Sequence, residues 1–62
     1  MTLEYKGHTY KRIMTDDPQV GDLVVFKDKV ELEITSEMDI LQEEVYPMIQ
    51  NFGCWLYRKY ES

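Results

Sequence analysis

The side chains in this sequence do not form a recognisable catalytic or metal-binding set. His8 is the only histidine, and it lies in a predicted turn without a nearby cysteine or an evident aspartate to orient it. Nucleophilic and acid–base catalysis both need a positioned base with an orienting group. Cys54 is the only cysteine, which excludes an internal disulfide and a cysteine-based zinc cluster, and we expect a buried free thiol. We therefore predict neither an enzyme nor a cofactor.

The carboxylates are the second group that could carry chemistry. Residues 27–45 contain seven of the twelve acidic side chains, and the chain has a net charge of −5. Such a segment could dock on a basic protein surface, for example one that binds nucleic acid, or it could be a solvated face that keeps the protein soluble. The order Ser36-Glu37-Met38-Asp39 lacks the alternation and glycine of an EF-hand loop, so no metal site is expected. The predicted partner-binding carboxylates are Glu31, Glu33, Glu37, Asp39, Glu43 and Glu44.

Three aromatic residues form a second predicted partner-binding surface. Trp55 and Tyr57 share one side of the predicted last strand, and Tyr46 lies on a predicted neighbouring strand. If the opposite side is the core, these rings would be exposed anchors of the kind that dominate protein interfaces. The alternative is that Trp55 and Tyr57 belong to the core, which a chain of 62 residues needs in order to fold.

The composition also limits which other partners and which cellular location are expected. The basic residues Lys6, Lys11 and Arg12 could bind nucleic acid together with the rings of Tyr5 and Tyr10, but the acidic net charge argues against it. No apolar run is long enough to cross a membrane, and the first residues lack a signal-peptide pattern. We expect a cytoplasmic protein that acts as a monomer or homodimer.

Short elements separated by turn residues must position these side chains. Apolar and polar alternation predicts strands over residues 3–6, 9–14, 22–27, 30–35, 44–50 and 54–60. Val30, Leu32 and Ile34 are expected on one side of their strand. Good helix formers after Ser36 predict one short helix or helical loop near residues 37–44. We expect a mainly β domain over residues 1–62, in which about five of these segments form antiparallel strands that close into a small barrel.

Three stretches of the chain carry a resemblance to a known group of proteins. They are the G-x-x-Y hairpin within residues 6–13, the G-D-x-V strand start within residues 20–26 and the V-Y-x-x-I pattern of residues 45–49. This outline resembles small uncharacterised SH3-like barrel proteins of phages and prophages of Gram-positive bacteria. The resemblance implies a five-stranded SH3-like barrel and brings no catalytic residues. Together with the acidic segment, it leads us to expect a modulator or inhibitor of a host protein with a basic surface. A self-associating structural or accessory subunit is the alternative.

Overall fold

A computed structural model describes residues 1–15, 17–41 and 45–60, without the side chains of Asp39 and Leu41. The strands are β1 (Thr2–Tyr5), β2 (His8–Ile13), β3 (Leu23–Phe26), β4 (Lys29–Glu33) and β5 (Trp55–Lys59). The helices are α1 (Glu37–Leu41) and α2 (Val45–Asn51). The prediction of a mainly β chain with five antiparallel strands is confirmed.

Two tight turns close the hairpins β1–β2 and β3–β4. Their central residues have positive φ angles: 50° at Lys6 and 81° at Gly7, then 51° at Lys27 and 64° at Asp28. Two consecutive positive φ angles define the type I′ turn, whose twist matches that of the flanking strands. Both turns lie one residue earlier than the sequence predicts, and β1, β2 and β4 begin one residue earlier as a result.

The five strands form one antiparallel sheet in the order β1-β2-β5-β3-β4. The last strand therefore joins the two hairpins. One side of the sheet carries a buried cluster, the curled-face cluster, made of Tyr10, Leu23, Val25 and Tyr57. Side chains of both edge strands, β1 and β4, pack against this same cluster, so the sheet curls around it. Among the described residues, β1 and β4 each pair on one side only, which makes a half-barrel rather than the closed barrel expected from the sequence.

The two helices cover the other side of the sheet. The helix-side cluster consists of Val24, Ile34, Val45, Cys54 and Leu56, all buried. Ile40 of α1 and Met48 and Ile49 of α2 pack against it. Strands β3 and β5 are apolar on both sides because their alternate residues enter the two clusters in turn.

The strand predicted over residues 44–50 is wrong, because the part of it that the structure describes is helix α2. Pro47 is the third residue of this helix, and a first-turn residue needs no backbone N–H for the helix. Val45, Met48 and Ile49 follow helical spacing and face the core. The predicted hairpin loop after this strand is instead the helix end: Gly53 has a φ of 74°, and the Cys54 N–H donates to the Met48 carbonyl.

The expected alternation along β4 is also wrong. Val24 of β3 pairs with Leu32, but the next residue, Val25, pairs with Val30, so a β-bulge leaves Glu31 without an opposite residue. Val30 therefore packs on the curled-face cluster, whereas Leu32 packs on the helix-side cluster. A bulge depends on the pairing of two strands, so the pattern of one strand does not reveal it.

Candidate functional site

The six predicted carboxylates are distributed over β4, α1 and the segment between the helices. Glu31 and Glu37 are exposed. Glu33 is half-buried, and its carboxylate lies 3.5 Å from the Lys6 ammonium. Tyr5 and the same carboxylate raise the pKa of Lys6. Asp39 lies in α1, with its side chain outside the description, and the positions predicted at 43 and 44 fall outside the described residues.

The three predicted aromatic residues do not form one surface. Tyr57 is 3% exposed and belongs to the curled-face cluster, whereas Trp55 is 41% exposed on the same side of β5. Tyr46 is 36% exposed on α2, which packs against the other side of the sheet. Residues two apart on a strand share a side, so the sequence grouped Trp55 and Tyr57 correctly. Burial then separates the two residues, because the curled sheet covers the ring of Tyr57 and leaves Trp55 partly exposed.

An apolar depression with an acidic rim lies where β4 meets the end of α2. We call it the Phe52 depression; it has a volume of about 340 Å³, and it is lined by Phe26, Glu31, Met48, Phe52 and Cys54. Phe52 is 66% exposed. The bulge in β4 brings the exposed Glu31 into this lining. Burial, and secondly the charge of Glu31, raise the pKa of the Cys54 thiol, so the cysteine is a neutral, buried part of the floor.

A buried carboxylate that the sequence analysis did not single out organises the opposite end of the sheet. Asp22 is 1% exposed and accepts two hydrogen bonds from Arg58, at 2.9 Å from Nε and 2.8 Å from Nη2. The Gln19 N–H also donates to Asp22, at 3.0 Å. The Arg58 hydrogen bond to Asp22 is the main cause that raises the pKa of the guanidinium. This pair connects the loop before β3 to the end of β5, and its role is structural. The signal in the sequence was an aspartate directly before an apolar strand.

The two tyrosines considered above for a nucleic-acid face lie next to each other near the N-terminus. The rings of Tyr5 and Tyr10 meet edge to face, with centroids 6.1 Å apart, and both contribute to the curled-face cluster. Lys11 lies 5.4 Å from the centroid of the Tyr60 ring, and Arg12 lies 4.3 Å from the centroid of the Trp55 ring. Tyr10 is 6% exposed, so its ring is not an open stacking platform for a base, whereas Tyr5 is half-buried.

Within residues 1–15, 17–41 and 45–60, no group of three histidine, cysteine or acidic side chains is placed to hold a metal ion. No helix in the same part of the chain is long and apolar enough to cross a membrane. Comparison with models of protein families, with curated proteins and with solved structures finds no match to this chain. The function must therefore be argued from the chemistry of these surfaces.

Proposed function

We propose that this protein is a small non-enzymatic binding module that contacts a basic partner protein through the Phe52 depression. The observation that carries the proposal is a carboxylate on an otherwise apolar, open depression: Glu31 is exposed there beside Phe52, which is 66% exposed. A large exposed apolar residue next to a recess is typical of a protein-interaction surface.

The chemistry of the depression suits a lysine or arginine side chain of the partner. Such a side chain has an apolar stem, which would pack on Phe26, Met48 and Phe52, and a charged end, which would reach Glu31. The net charge of −5 would speed the encounter with a basic surface and orient it. Glu37 and the other predicted carboxylates would add to this attraction without each making a direct contact.

The type of module and its target are proposed from the sequence. We propose an SH3-like domain of the phage and prophage type, located in the cytoplasm, that modulates or inhibits a host protein. Its acidic surface would occupy a basic surface that otherwise binds nucleic acid. The supports are the resemblance of residues 6–13, 20–26 and 45–49, the five antiparallel strands in a curled sheet, and the free Cys54.

Affinity capture from a bacterial lysate tests the proposal. The immobilised protein is compared with the variants Glu31→Gln and Phe52→Ser, and with Asp28→Asn as a control that removes the same charge from the β3–β4 turn. We expect one protein captured by wild type and control, strongly reduced for both variants, and weakened at about 0.5 M salt, where surface charges are screened within a few Å. Capture that both variants leave unchanged would contradict the proposal.

Self-association is the second candidate, and the open edges of the sheet favour it. Strands β1 and β4 each leave one side unpaired among the described residues, and such edges can pair with another chain. However, β4 carries Lys29, Glu31 and Glu33, and charged residues on an edge strand oppose pairing. Sedimentation velocity at two concentrations separates the candidates: a monomer at both concentrations would remove self-association.

A further inference from the structure

Arg12 has a different role from Arg58, although both lie on paired strands of the same sheet. Arg58 is engaged by the buried carboxylate of Asp22. Arg12 has no carboxylate partner among the described residues; its guanidinium carbon lies 4.3 Å from the centroid of the Trp55 ring. Among the described residues, the contact that engages this arginine is therefore an aromatic ring rather than a carboxylate.

The sheet itself places this pair. Arg12 of β2 pairs with Tyr57 of β5, so Trp55, two residues earlier on β5, is its diagonal neighbour on the same side. Trp55 also pairs with Val25 of β3, close to the β3–β4 turn. The backbone of Trp55 is therefore held between two neighbouring strands, and the residue remains 41% exposed. A guanidinium stacked on a ring loses little conformational freedom on binding a planar anion, and its edge N–H groups stay accessible.

Two recesses share Trp55 and Gly53 in their linings, and they differ in the charged residues that they contain. The first has a volume of about 210 Å³, and Arg12 and Lys27 contribute cations to its lining, with Asp28 as the acidic member. The second has a volume of about 480 Å³ and is mostly apolar, with Ile13, Met14 and Leu56 in its lining. Met14 is 80% exposed. An anionic group and an apolar group can thus bind next to each other at Trp55.

The surface formed by Arg12, Trp55 and the two adjoining recesses is called the corner below. We propose that this corner binds an extended peptide segment in which a residue with a carboxylate side chain is adjacent to a residue with a large apolar side chain. The carboxylate accepts hydrogen bonds from Arg12, with Lys27 adding positive charge, and the apolar side chain packs between Trp55 and Met14. Charge complementarity selects an acidic ligand at this corner, whereas the Phe52 depression selects a basic one. The two sites are therefore distinct, and this inference does not rest on the proposed function.

The test uses the only tryptophan of the chain as its reporter. The probes are a capped pentapeptide with leucine next to glutamate and the same peptide with glutamine in place of glutamate. They are titrated into the isotopically labelled protein while the Trp55 indole N–H signal is followed by NMR. We expect a saturable shift with a Kd near 1 mM for the glutamate peptide, and roughly fivefold weaker binding of the glutamine peptide, because an exposed charge pair contributes about 1 kcal/mol.

Three variants make the outcome specific. Arg12→Gln should remove the preference for the glutamate peptide, whereas Lys11→Gln, which removes the same charge from the adjacent residue on the other side of β2, should keep it. Phe52→Ser should also keep it, which separates this site from the proposed function. The inference is overturned if neither peptide shifts the Trp55 signal up to about 10 mM, or if both bind equally. It is also overturned if a single-stranded oligonucleotide or a second copy of the protein occupies the corner more tightly than the glutamate peptide.

Discussion

Replacing Asp22 with asparagine tests the strongest polar interaction in the described structure. The carboxylate is 1% exposed and accepts three hydrogen bonds: two from Arg58 and one from the Gln19 N–H. The backbone of the same residue joins two neighbouring segments, since its carbonyl accepts from the Ile34 N–H at 2.9 Å. Asparagine keeps the shape of the side chain and one acceptor oxygen, so the substitution removes mainly the charge.

The expected loss follows from the burial of the two partners. Removing one partner of a fully buried ion pair costs about 3–5 kcal/mol because the other charge stays desolvated. The Arg58 side chain is 37% exposed, so water solvates part of the freed charge, and we expect a loss of about 2 kcal/mol. A domain of this length has a free energy of unfolding of roughly 3–9 kcal/mol. The melting temperature should therefore fall by roughly 10 °C.

Urea unfolding, followed by far-UV circular dichroism, measures this loss. Asp28→Asn is the control, because that aspartate is exposed and asparagine tolerates the positive φ of 64°; it should change stability by less than about 0.5 kcal/mol. Combining Asp22→Asn with Arg58→Met should recover part of the loss, since no uncompensated charge then remains. A loss below about 0.5 kcal/mol for Asp22→Asn, or a coupling energy near zero in this cycle, would refute the reasoning.

Two further predictions concern the thiol and a turn. Because burial and Glu31 raise its pKa, Cys54 should react with iodoacetamide more slowly in the native protein than in urea, and its rate should rise at a higher pH. Mass spectrometry across the alkaline range measures this, and equal rates in both states would contradict it. The raised pKa also means that stability is lost as the pH rises through the pKa of the folded-state thiol. Replacing Lys27-Asp28 by Asn-Gly should stabilise the domain by about 0.5–1 kcal/mol, since both positions have positive φ. Urea unfolding checks it, and an unchanged or lower midpoint would count against it.

The elements that the sequence predicted well are those with a strong local pattern. Residues 23–26 are apolar and include β-branched and aromatic side chains, and residues 55–59 contain three large apolar side chains in a row, so the sequence predicts a strand over each. The helix over Glu37–Leu41 begins directly after Ser36, which is the position of a helix-capping residue. The short apolar run around Pro47 has no such decisive pattern. Its spacing fits a strand or a helix, and packing on the helix-side cluster selects the helix.

The candidate surfaces depended more heavily on contacts between distant segments. The sequence predicted Trp55 and Glu31 as partner-binding residues, and it grouped them with Tyr57 and with the other carboxylates. The structure buries Tyr57. It also brings Glu31 and Phe52 together around one depression, through a bulge that exists only when β3 and β4 pair. Arg12 and Trp55 are also brought together by strand pairing alone.

The amino-acid sequence by itself determined a mainly β, acidic chain with one cysteine and antiparallel strands joined by short turns. These properties follow from composition and from interactions between residues close in the chain. Tertiary structure decided the position of β5 between the two hairpins, the burial of the Asp22–Arg58 pair and the chemistry of each surface. These features depend on contacts between residues that are far apart in the chain; Asp22 and Arg58, for example, are 36 positions apart. Local propensity carries no information about which distant residues come into contact.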